Sequence, residues 1–348
     1  MSTTPWIATL AQAQARAGTG DEAPRVAERL RAQGMASLCI LGDAADWIAT
    51  EHARGWLAGR AVEPPAYAAA VEAALARGFV PADALIVGAM PSPHALPLLS
   101  WAEERPRPPQ PAARARRLDL YAIVDSAARL RQVLDAGVRT VQLRIKMPAS
   151  PDADWRAMLQ GEMQQAIADS RAAGAELFVN DHWQMAHALG ATGVHLGQED
   201  LLAMGAADRA RLRASGMALG VSSHSLWELA RARTLSPRYI ACGPVWATLT
   251  KDMPWLPQGV DNLAWWCRAA GTPVTAIGGI LGPAEVEAAA ATGVDGVCIV
   301  RGLGDDPRQV LPALQAALEA GRGTSPRAGS EWPHPTLPPP AAGGQAPL

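Results

Sequence analysis

The chain has 348 residues, a formal net charge of −2 and a hydrophobic fraction of 49%. This length is about twice that of a typical domain, and the balanced charge argues against a nucleic-acid-binding surface, which concentrates Lys and Arg. No stretch reaches the roughly 18 uncharged apolar residues of a membrane helix, the amino terminus lacks a signal-peptide pattern, and the four cysteines form no CxxC motif. These features predict a soluble cytoplasmic protein without a disulfide framework or a zinc site.

The first 104 residues predict a small, mainly helical region. Residues 22–34, 69–78 and 81–89 have helical patterns, and residues 36–42 have the composition of one buried strand. Residues 74–90 resemble the C-terminal helices of ribokinase-like hydroxymethylpyrimidine kinases, but the Gly-rich anion-binding motif expected before those helices is missing. The resemblance implies a degenerate kinase-like remnant without kinase chemistry.

Two further segments differ in composition from the rest of the chain. Residues 105–117 alternate Pro, Arg and Ala, which predicts an extended, solvated linker. Residues 322–348 are rich in Pro, Gly, Ala and Ser, which predicts a disordered tail. Because residues 118–321 contain a complete set of strands and helices, they are predicted to fold and to function without residues 1–117.

In residues 118–321, short strand-like runs alternate with helix-length stretches. The eight strand candidates are residues 120–124, 140–145, 177–180, 193–197, 218–222, 239–244, 274–279 and 296–300. Eight strands that alternate with eight helices over this length predict a (β/α)8 barrel, the TIM-barrel architecture. A doubly wound open sheet is the alternative.

The end of the second strand carries two cations and an amide. In a (β/α)8 barrel the functional residues lie at the carboxyl ends of the strands. The alternate spacing of Gln142, Arg144 and Lys146 predicts that all three side chains point into the barrel. Buried cations need an anionic partner, so this strand indicates a phosphate-rich ligand. An internal salt-bridge layer is the alternative.

Carboxylates follow the next two strands. Asn180 and Asp181 end the third strand, and the HLGQED string that ends the fourth includes His195 and Asp200. One carboxylate after each of two adjacent strands suits Mg²⁺, which takes one or two carboxylates together with waters and phosphate oxygens. The alternative for Asp181 is an N-cap for the helix that begins near Trp183.

The remaining strand ends carry hydroxyl groups and glycines. Ser222 ends the fifth strand, and Ser225 is predicted to cap the helix that follows. Residues 243–259 form a loop long enough to be a mobile lid. Glycines after the seventh and eighth strands, such as Gly279, often bind phosphate through backbone N–H groups. The sequence therefore predicts a diphosphate site and a monophosphate site on the same face of the barrel.

Six strings at these strand ends resemble the thiamine-phosphate synthase family. They are QLRIK, FVNDHW, GVHLGQEDL, LGVSSH, TLTK and AIGGI, in this order along residues 118–321. The resemblance implies an enzyme that joins 4-amino-2-methyl-5-pyrimidinylmethyl diphosphate to 4-methyl-5-(2-phosphoethyl)thiazole and releases diphosphate. The related thiazole tautomerases share the barrel but lack the ND and GQED pair that this chain keeps.

The resemblance also implies a role for each matching residue. The pyrimidine diphosphate contacts are Gln142, Arg144, Lys146, Asn180, Ser222 and Lys251, of which Lys146, Ser222 and Lys251 are the catalytic candidates. The Mg²⁺ ligands are Asp181 and Asp200, and the thiazole phosphate contacts are Thr248, Thr250, Gly279, Val300 and Arg301. Arg301 stands where the family usually has a serine. Its side chain is expected to turn inward to the phosphate, with an outward orientation as the alternative.

The implied mechanism is departure of diphosphate followed by attack of the thiazole nitrogen, because the aminopyrimidine supports a positive charge on its CH₂ group. No side-chain nucleophile is required, and His195 is not assigned as a base. The alternative functions are a thiazole tautomerase-like enzyme and a non-catalytic sensor of thiamine precursors. The expected partners are small molecules, without nucleic acid or membrane.

Overall fold

The computed structural model describes residues 4–101, 103–110, 116–248, 254–324 and 330–338. An amino-terminal sheet with its helices packs against one side of a closed barrel. Within the described residues, no helix has the length and apolar character needed to span a bilayer.

The amino-terminal region combines a five-stranded sheet with four helices. The strands are β1 (Trp6–Thr9), β2 (Leu38–Leu41), β3 (Asp46–Ala49), β4 (Arg54–Ala58) and β5 (Leu98–Leu99), and they follow one another in the sheet. The helices are α1 (Leu10–Ala17), α2 (Ala23–Ala32), α3 (Pro64–Ala76) and α4 (Pro81–Ala89). The three predicted helices and β2 are confirmed. The other four strands lack the run of four consecutive apolar residues that marks β2, so they carry no comparable strand signal. The kinase-like origin of the region stays a prediction.

The barrel consists of eight parallel strands. They are β6 (Asp119–Val124), β7 (Thr140–Leu143), β8 (Glu176–Asn180), β9 (Gly193–Leu196), β10 (Ala218–Ser223), β11 (Tyr239–Cys242), β12 (Val274–Ala276) and β13 (Gly296–Ile299). The last strand pairs with the first, Val297 beside Leu120, so the sheet is closed and the open-sheet alternative is excluded. All eight predicted strands are confirmed.

Helices surround the barrel and connect its strands. They are α5 (Ala127–Asp135), α6 (Ala153–Ala172), α7 (Trp183–Ala188), α8 (Gln198–Ala203), α9 (Ala206–Ala214), α10 (Leu226–Ala232), α11 (Gly259–Ala269), α12 (Pro283–Ala290) and α13 (Pro307–Gly323). Short 3₁₀ turns are present at Arg233–Leu235 and Arg301–Leu303. The predicted Ser225 cap is confirmed, because its hydroxyl accepts a hydrogen bond from the Glu228 N–H at 3.3 Å.

An aromatic floor, formed by Tyr121, Phe178 and Tyr239, fills the barrel interior below the carboxyl ends of the strands. The three rings are fully buried, and their centroids lie 5.0 to 5.7 Å apart. Gly220 on β10 makes room for this floor, because a Cβ at that position would overlap the Tyr239 ring. The floor occupies the lower part of the barrel, so the space for a ligand lies above it.

Helix α10 joins the barrel to the amino-terminal region. All seven of its residues are buried. The Arg231 guanidinium donates to the backbone carbonyls of Ser100 and Arg54, both at 3.1 Å, and the Trp101 indole donates to Thr234. One continuous hydrophobic core includes apolar residues from both parts. A barrel helix normally exposes its outer face to water, so α10 depends on the amino-terminal region for its burial.

The segment predicted to be a solvated linker also contacts the folded protein. The Arg105 guanidinium lies 3.5 Å from the centre of the Trp56 ring, and the Gln110 N–H donates to the Ser236 hydroxyl at 2.9 Å. Residues 103–110 contain no helix or strand and are mostly exposed, as an extended linker should be, but these contacts attach the segment to the folded protein. Together with the burial of α10, they also remove the basis for expecting residues 118–321 to fold alone.

Of the predicted disordered tail, residues 330–338 are ordered, whereas residues 325–329 and 339–348 lie outside the described residues. At residues 330–338, the His334 N–H donates to the Asn262 side chain at 2.9 Å, and the Thr336 carbonyl accepts from the Leu256 N–H, also at 2.9 Å. Leu337 is buried. The segment therefore lies against Asn262 on α11, with Leu337 in the hydrophobic core, a contact that composition alone does not predict.

Asp83 on α4 is a fully buried acidic residue at the interface with the barrel. Its side chain is fully buried and accepts a hydrogen bond at 3.0 Å from the Trp227 N–H in the first turn of α10. Burial raises the pKa of Asp83 to about 8; the hydrogen bond from Trp227 opposes this shift, and the Glu228 carboxylate adds to it. The folded protein therefore binds a proton that the unfolded chain releases above about pH 4.

Because the folded protein retains this proton, we expect its free energy of unfolding to fall as the pH rises from about 4 to about 8. Asp83→Asn keeps an oxygen acceptor for Trp227 and removes the titration. Because one pKa unit corresponds to about 1.4 kcal/mol, the variant should exceed the parent by several kcal/mol in unfolding free energy at pH 8 and differ little at pH 4. Urea unfolding at both pH values measures this. Asp135→Asn, at an exposed carboxylate, is the control. If the unfolding free energies of Asp83→Asn and the parent changed with pH by the same amount, the prediction would be contradicted.

Candidate active site

A cavity of about 410 Å³ opens above the aromatic floor, at the carboxyl ends of the barrel strands. Ten of the residues predicted for the site line it: Gln142, Arg144, Asn180, Asp181, Asp200, Ser222, Thr248, Gly279, Val300 and Arg301. Thr250 and Lys251 lie outside the described residues. The (β/α)8 barrel thus brings side chains from distant parts of the sequence to one place.

The basic side of the cavity is formed by the end of β7. Gln142 is buried, and Arg144 is half-buried against the cavity. Lys146 is exposed and does not line the cavity, which corrects the prediction that all three side chains share an inward face. The physical reason is that β7 ends at Leu143, so the alternation of a strand does not continue as far as Lys146.

Asp181 and Asp200 form the acidic side. Burial raises the pKa of Asp181 to about 6, and the Asp200 carboxyl group adds its charge and a hydrogen bond, while Arg144 opposes the shift. The second carboxyl group is held in place by the Gly197 N–H, which donates to Asp200 Oδ2 at 3.0 Å. Two adjacent carboxylates, one of them with a raised pKa, form a place where a bound cation would relieve the repulsion between the two negative charges.

The helix-cap alternative for Asp181 is not supported by the geometry. The N-cap of α7 is His182, and no side chain caps the helix there. Asp181 has a φ of 66°, a left-handed conformation that costs a non-glycine residue about 1 kcal/mol or more. Such a conformation at a cavity wall is typical of a functional residue whose orientation the fold imposes.

Below the cavity, four hydrogen bonds connect five side chains. Gln142 Nε2 donates to the Tyr121 hydroxyl at 2.9 Å, and that hydroxyl lies 2.7 Å from the Tyr239 hydroxyl. Tyr239 in turn lies 2.7 Å from His195 Nδ1, and His195 Nε2 lies 2.8 Å from Ser222 Oγ. Burial lowers the pKa of His195 to about 3. His195 is therefore neutral near pH 7.

The loop after β10 carries a histidine for which the sequence predicts no role. His224 lines the cavity, its Nδ1 lies 3.0 Å from Glu228 Oε2, and its ring stacks on Trp255 at a centroid distance of 5.3 Å. Trp255 belongs to the loop of residues 243–259. The predicted lid is thus anchored on the β10–α10 connection, close to Ser222.

The opposite wall is a glycine turn after β12. Gly278 and Gly279 have φ values of 96° and 72°, and a Cβ on Gly279 would overlap the backbone and side chain of Trp246. Glycine is therefore required by both conformation and space. Thr248, from the loop that packs against this turn, also lines the cavity. Because these two glycines have no side chains, the backbone of the turn can come close to a bound ligand.

The end of β13 completes this wall. Val300 and Arg301 line the cavity and are exposed at its rim. Cys298 also lines the cavity, but burial raises the pKa of its thiol to about 12. It is therefore a neutral thiol and not a reactive thiolate near pH 7.

Several cavity residues have no polar signature in the sequence. They are the apolar or backbone wall residues Ile123, Gly243, Pro244, Ile277, Ile280 and Leu281. Each lies at or just after the end of a barrel strand, so the strand-end rule that identified the polar residues also applies to them. Apolar residues at strand ends are too common for that rule to select them without the structure.

Comparison with known proteins finds matches to the same part of the chain. The family model for thiamine monophosphate synthase matches residues 120–303, just over half of the chain. A solved structure of thiamine phosphate pyrophosphorylase from Pyrococcus furiosus is similar, with a TM-score of 0.50 and 28% identity. The match covers 59% of this chain and 98% of that structure's chain.

Curated relatives agree with this match. Thiamine-phosphate synthase from Neisseria meningitidis is 42% identical over 202 residues, which are 57% of this chain and 94% of the relative. Thiamine-phosphate synthase from Escherichia coli is 45% identical over 185 residues, which are 53% of this chain and 83% of the relative. On these matches and on its closed eight-stranded barrel, the chain belongs to the thiamine monophosphate synthase family.

Proposed function

We propose that the protein joins 4-amino-2-methyl-5-pyrimidinylmethyl diphosphate to 4-methyl-5-(2-phosphoethyl)thiazole, giving thiamine phosphate and diphosphate. The observation that carries this proposal is the division of one cavity into two sides. Arg144 and the Asp181–Asp200 pair form one side, and the Gly278–Gly279 turn with Arg301 forms the other. A diphosphate and a monophosphate fit these two sides respectively.

Asp181 and Asp200 are the residues that would hold Mg²⁺. Both offer carboxylate oxygen, and the raised pKa of Asp181 reflects a burial and a repulsion that a divalent cation would offset. Among the described residues, no cluster of three or more His, Cys, Asp or Glu side chains could hold a metal. A two-carboxylate site suits Mg²⁺, which keeps waters and phosphate oxygens as its other ligands. Bound Mg²⁺ would neutralise charge on the departing diphosphate.

The side chains of the cavity favour dissociation without a protein nucleophile. Cys298 is a neutral thiol and His195 a neutral imidazole that is engaged at both nitrogens. The C–O bond to diphosphate breaks first, its electron pair leaving with the oxygen, and the positive charge spreads into the aminopyrimidine. The thiazole nitrogen then donates its lone pair to the CH₂ carbon. Arg144 stabilises the leaving group, and the cavity walls orient the two rings.

The remaining predicted contacts belong to the same proposal. Gln142, Asn180, Ser222 and Lys251 would contact the pyrimidine diphosphate, and Lys146 would join them on moving toward the bound substrate. Thr248, Thr250, Gly279, Val300 and Arg301 would contact the thiazole phosphate. The exposed position of Lys146 in the described structure gives it no contact with the cavity, so its role requires movement of the segment after β7.

The proposal is tested by incubating the full-length protein with both substrates, with Mg²⁺ or with excess EDTA. We expect equal amounts of thiamine phosphate and diphosphate with Mg²⁺, and at least a hundredfold slower formation with EDTA. Isomerisation of a thiazole phosphate precursor without coupling would indicate a tautomerase-like enzyme instead. Binding of both substrates without release of diphosphate would indicate a sensor.

Arg301 gives a separate prediction for the monophosphate side. A charge-assisted hydrogen bond contributes about 1.5–3 kcal/mol, so Arg301→Ser should raise KM for the thiazole phosphate about tenfold or more and leave KM for the pyrimidine diphosphate nearly unchanged. Added salt should weaken thiazole binding more in the parent than in the variant. Arg308→Ser, at an exposed position on α13, is the matched control. Equal thiazole affinity of Arg301→Ser and the parent at low salt would show that the side chain does not serve the phosphate.

A further inference from the structure

We propose that Tyr121, Tyr239 and His195 are positioning residues that fix the hydrogen-bond polarity of Gln142 and Ser222. By doing so, they would make the cavity select an amino-substituted nitrogen heterocycle over its oxo counterpart. The inference rests on the proposed function, because it specifies how the pyrimidine substrate is recognised.

The five side chains form an unbroken chain of hydrogen bonds through the barrel. Its four donor–acceptor distances lie between 2.7 and 2.9 Å. Tyr121 and Tyr239 are fully buried and do not line the cavity, whereas His195 and the two end residues, Gln142 and Ser222, do. The tyrosines can therefore affect a ligand only through their neighbours.

Proton counting gives this chain one direction. The Gln142 amide donates to Tyr121, so the Tyr121 proton is free to go to Tyr239. Tyr239 then donates to His195 Nδ1, and the single proton of the neutral imidazole lies on Nε2. His195 Nε2 consequently donates to Ser222 Oγ.

The direction of the chain decides what its ends offer to a ligand. Gln142 uses its amide nitrogen below the cavity, so its carbonyl oxygen remains as an acceptor on the cavity side. Ser222 accepts from His195, so its own proton remains as a donor. Gln198 Nε2 donates to the Ser222 carbonyl at 2.9 Å and keeps this residue in place. The cavity therefore presents one acceptor and one donor with fixed identities.

A 4-aminopyrimidine matches the donor and acceptor identities of this pair, because its amino group donates and the adjacent ring nitrogen accepts. The corresponding 4-oxo ring has the reverse pattern, with an accepting oxygen beside a ring N–H. Binding the 4-oxo ring would place its oxygen against the Gln142 oxygen and its N–H against the Ser222 proton. The alternative would be to reverse the direction of all four hydrogen bonds between Gln142 and Ser222. Sites built from buried hydrogen-bonding groups reject mismatched substrates strongly.

The test compares the amino substrate with its 4-oxo analogue in the parent and in Tyr239→Phe. The parent should prefer the amino compound by at least about a hundredfold in kcat/KM. Tyr239→Phe removes the middle of the chain, so His195 can adopt either tautomer and Ser222 is no longer forced to donate. We expect the preference to fall at least tenfold, through a higher KM for the amino substrate, with KM for the thiazole phosphate unchanged.

Tyr67→Phe is the matched control, since Tyr67 is a fully buried tyrosine of the amino-terminal region whose hydroxyl donates to the Leu85 carbonyl at 3.1 Å. It should leave the preference unchanged. Tyr121→Phe should resemble Tyr239→Phe, and the double variant should cost little more than either single one, because both interrupt the same chain. Tyr121→Phe also provides the test if Tyr239→Phe does not fold.

A folded Tyr239→Phe or Tyr121→Phe protein that keeps the full preference of the parent would overturn the inference. Additive effects of the two substitutions would also overturn it, because they would indicate two independent packing defects. Failure of the proposed function is a different result, in which the parent forms no product from the amino substrate. In that case, calorimetric binding of the aminopyrimidine and the pyrimidinone to the same proteins still measures the preference.

Discussion

Removal of residues 1–117 should abolish the stable fold of the barrel. The deletion takes away the surface that covers α10, including the partners of Trp227 and Arg231. It also removes a partner of α11, the Pro93 carbonyl that accepts from the Trp265 indole at 2.8 Å. Exposure of a buried large apolar side chain costs about 1.5–3 kcal/mol. Several such losses approach the whole stability of a domain, about 5–15 kcal/mol. Thermal unfolding and solubility of residues 118–348 measure the effect.

A nicked protein separates loss of the contact surface from loss of the covalent connection. A protease site inserted between residues 110 and 116 allows the chain to be cut after folding. The cut protein should remain associated and keep the thermal stability of the intact chain, whereas residues 118–348 expressed alone should not. A soluble, cooperatively unfolding barrel with the stability of the full chain would contradict the prediction.

The second large effect concerns the acidic pair. Asp181→Ala and Asp200→Ala should each lower kcat at least about a hundredfold, because each removes a carboxylate that we propose binds the cation stabilising the leaving group. Metal assistance contributes several kcal/mol of transition-state stabilisation, and about 1.4 kcal/mol corresponds to a tenfold change in rate. Turnover measured across a Mg²⁺ titration should show a lower maximum and a weaker dependence on the metal.

Asp208→Ala is the control for these variants, because Asp208 pairs with Arg211 on α9 and does not line the cavity. It should behave as the parent does. Near-normal turnover of Asp181→Ala at saturating Mg²⁺ would exclude the ligand role. A purely structural role would instead appear as lower thermal stability with an unchanged rate.

The barrel and most of the candidate site follow from local signals in the sequence. Each strand is a short apolar run, and the polar residues that line the cavity come at or directly after the ends of those runs. Asp181 and Asp200 are an example: they are far apart in the sequence, but β8 and β9 are neighbours in the sheet. The strand-end rule therefore predicts their proximity without coordinates.

Local signals do not indicate how far a strand extends or which groups lie beneath a cavity. Continuing the alternation past Leu143 places Lys146 inward, but β7 ends at Leu143. Tyr121 and Tyr239 are ordinary apolar-strand residues in the sequence, 118 positions apart. Only closure of the barrel brings their hydroxyls to 2.7 Å from each other.

Residue types at short, regular spacings specify the barrel, the order of its strands and the chemistry of the strand ends, so these features can be predicted from the sequence alone. Other features arise from contacts between distant segments: the burial of α10 beneath the amino-terminal region, the raised pKa of Asp83 and the direction of the hydrogen bonds below the cavity. Such contacts depend on how whole helices and strands pack, and a local sequence pattern does not predict which distant segment a given element packs against.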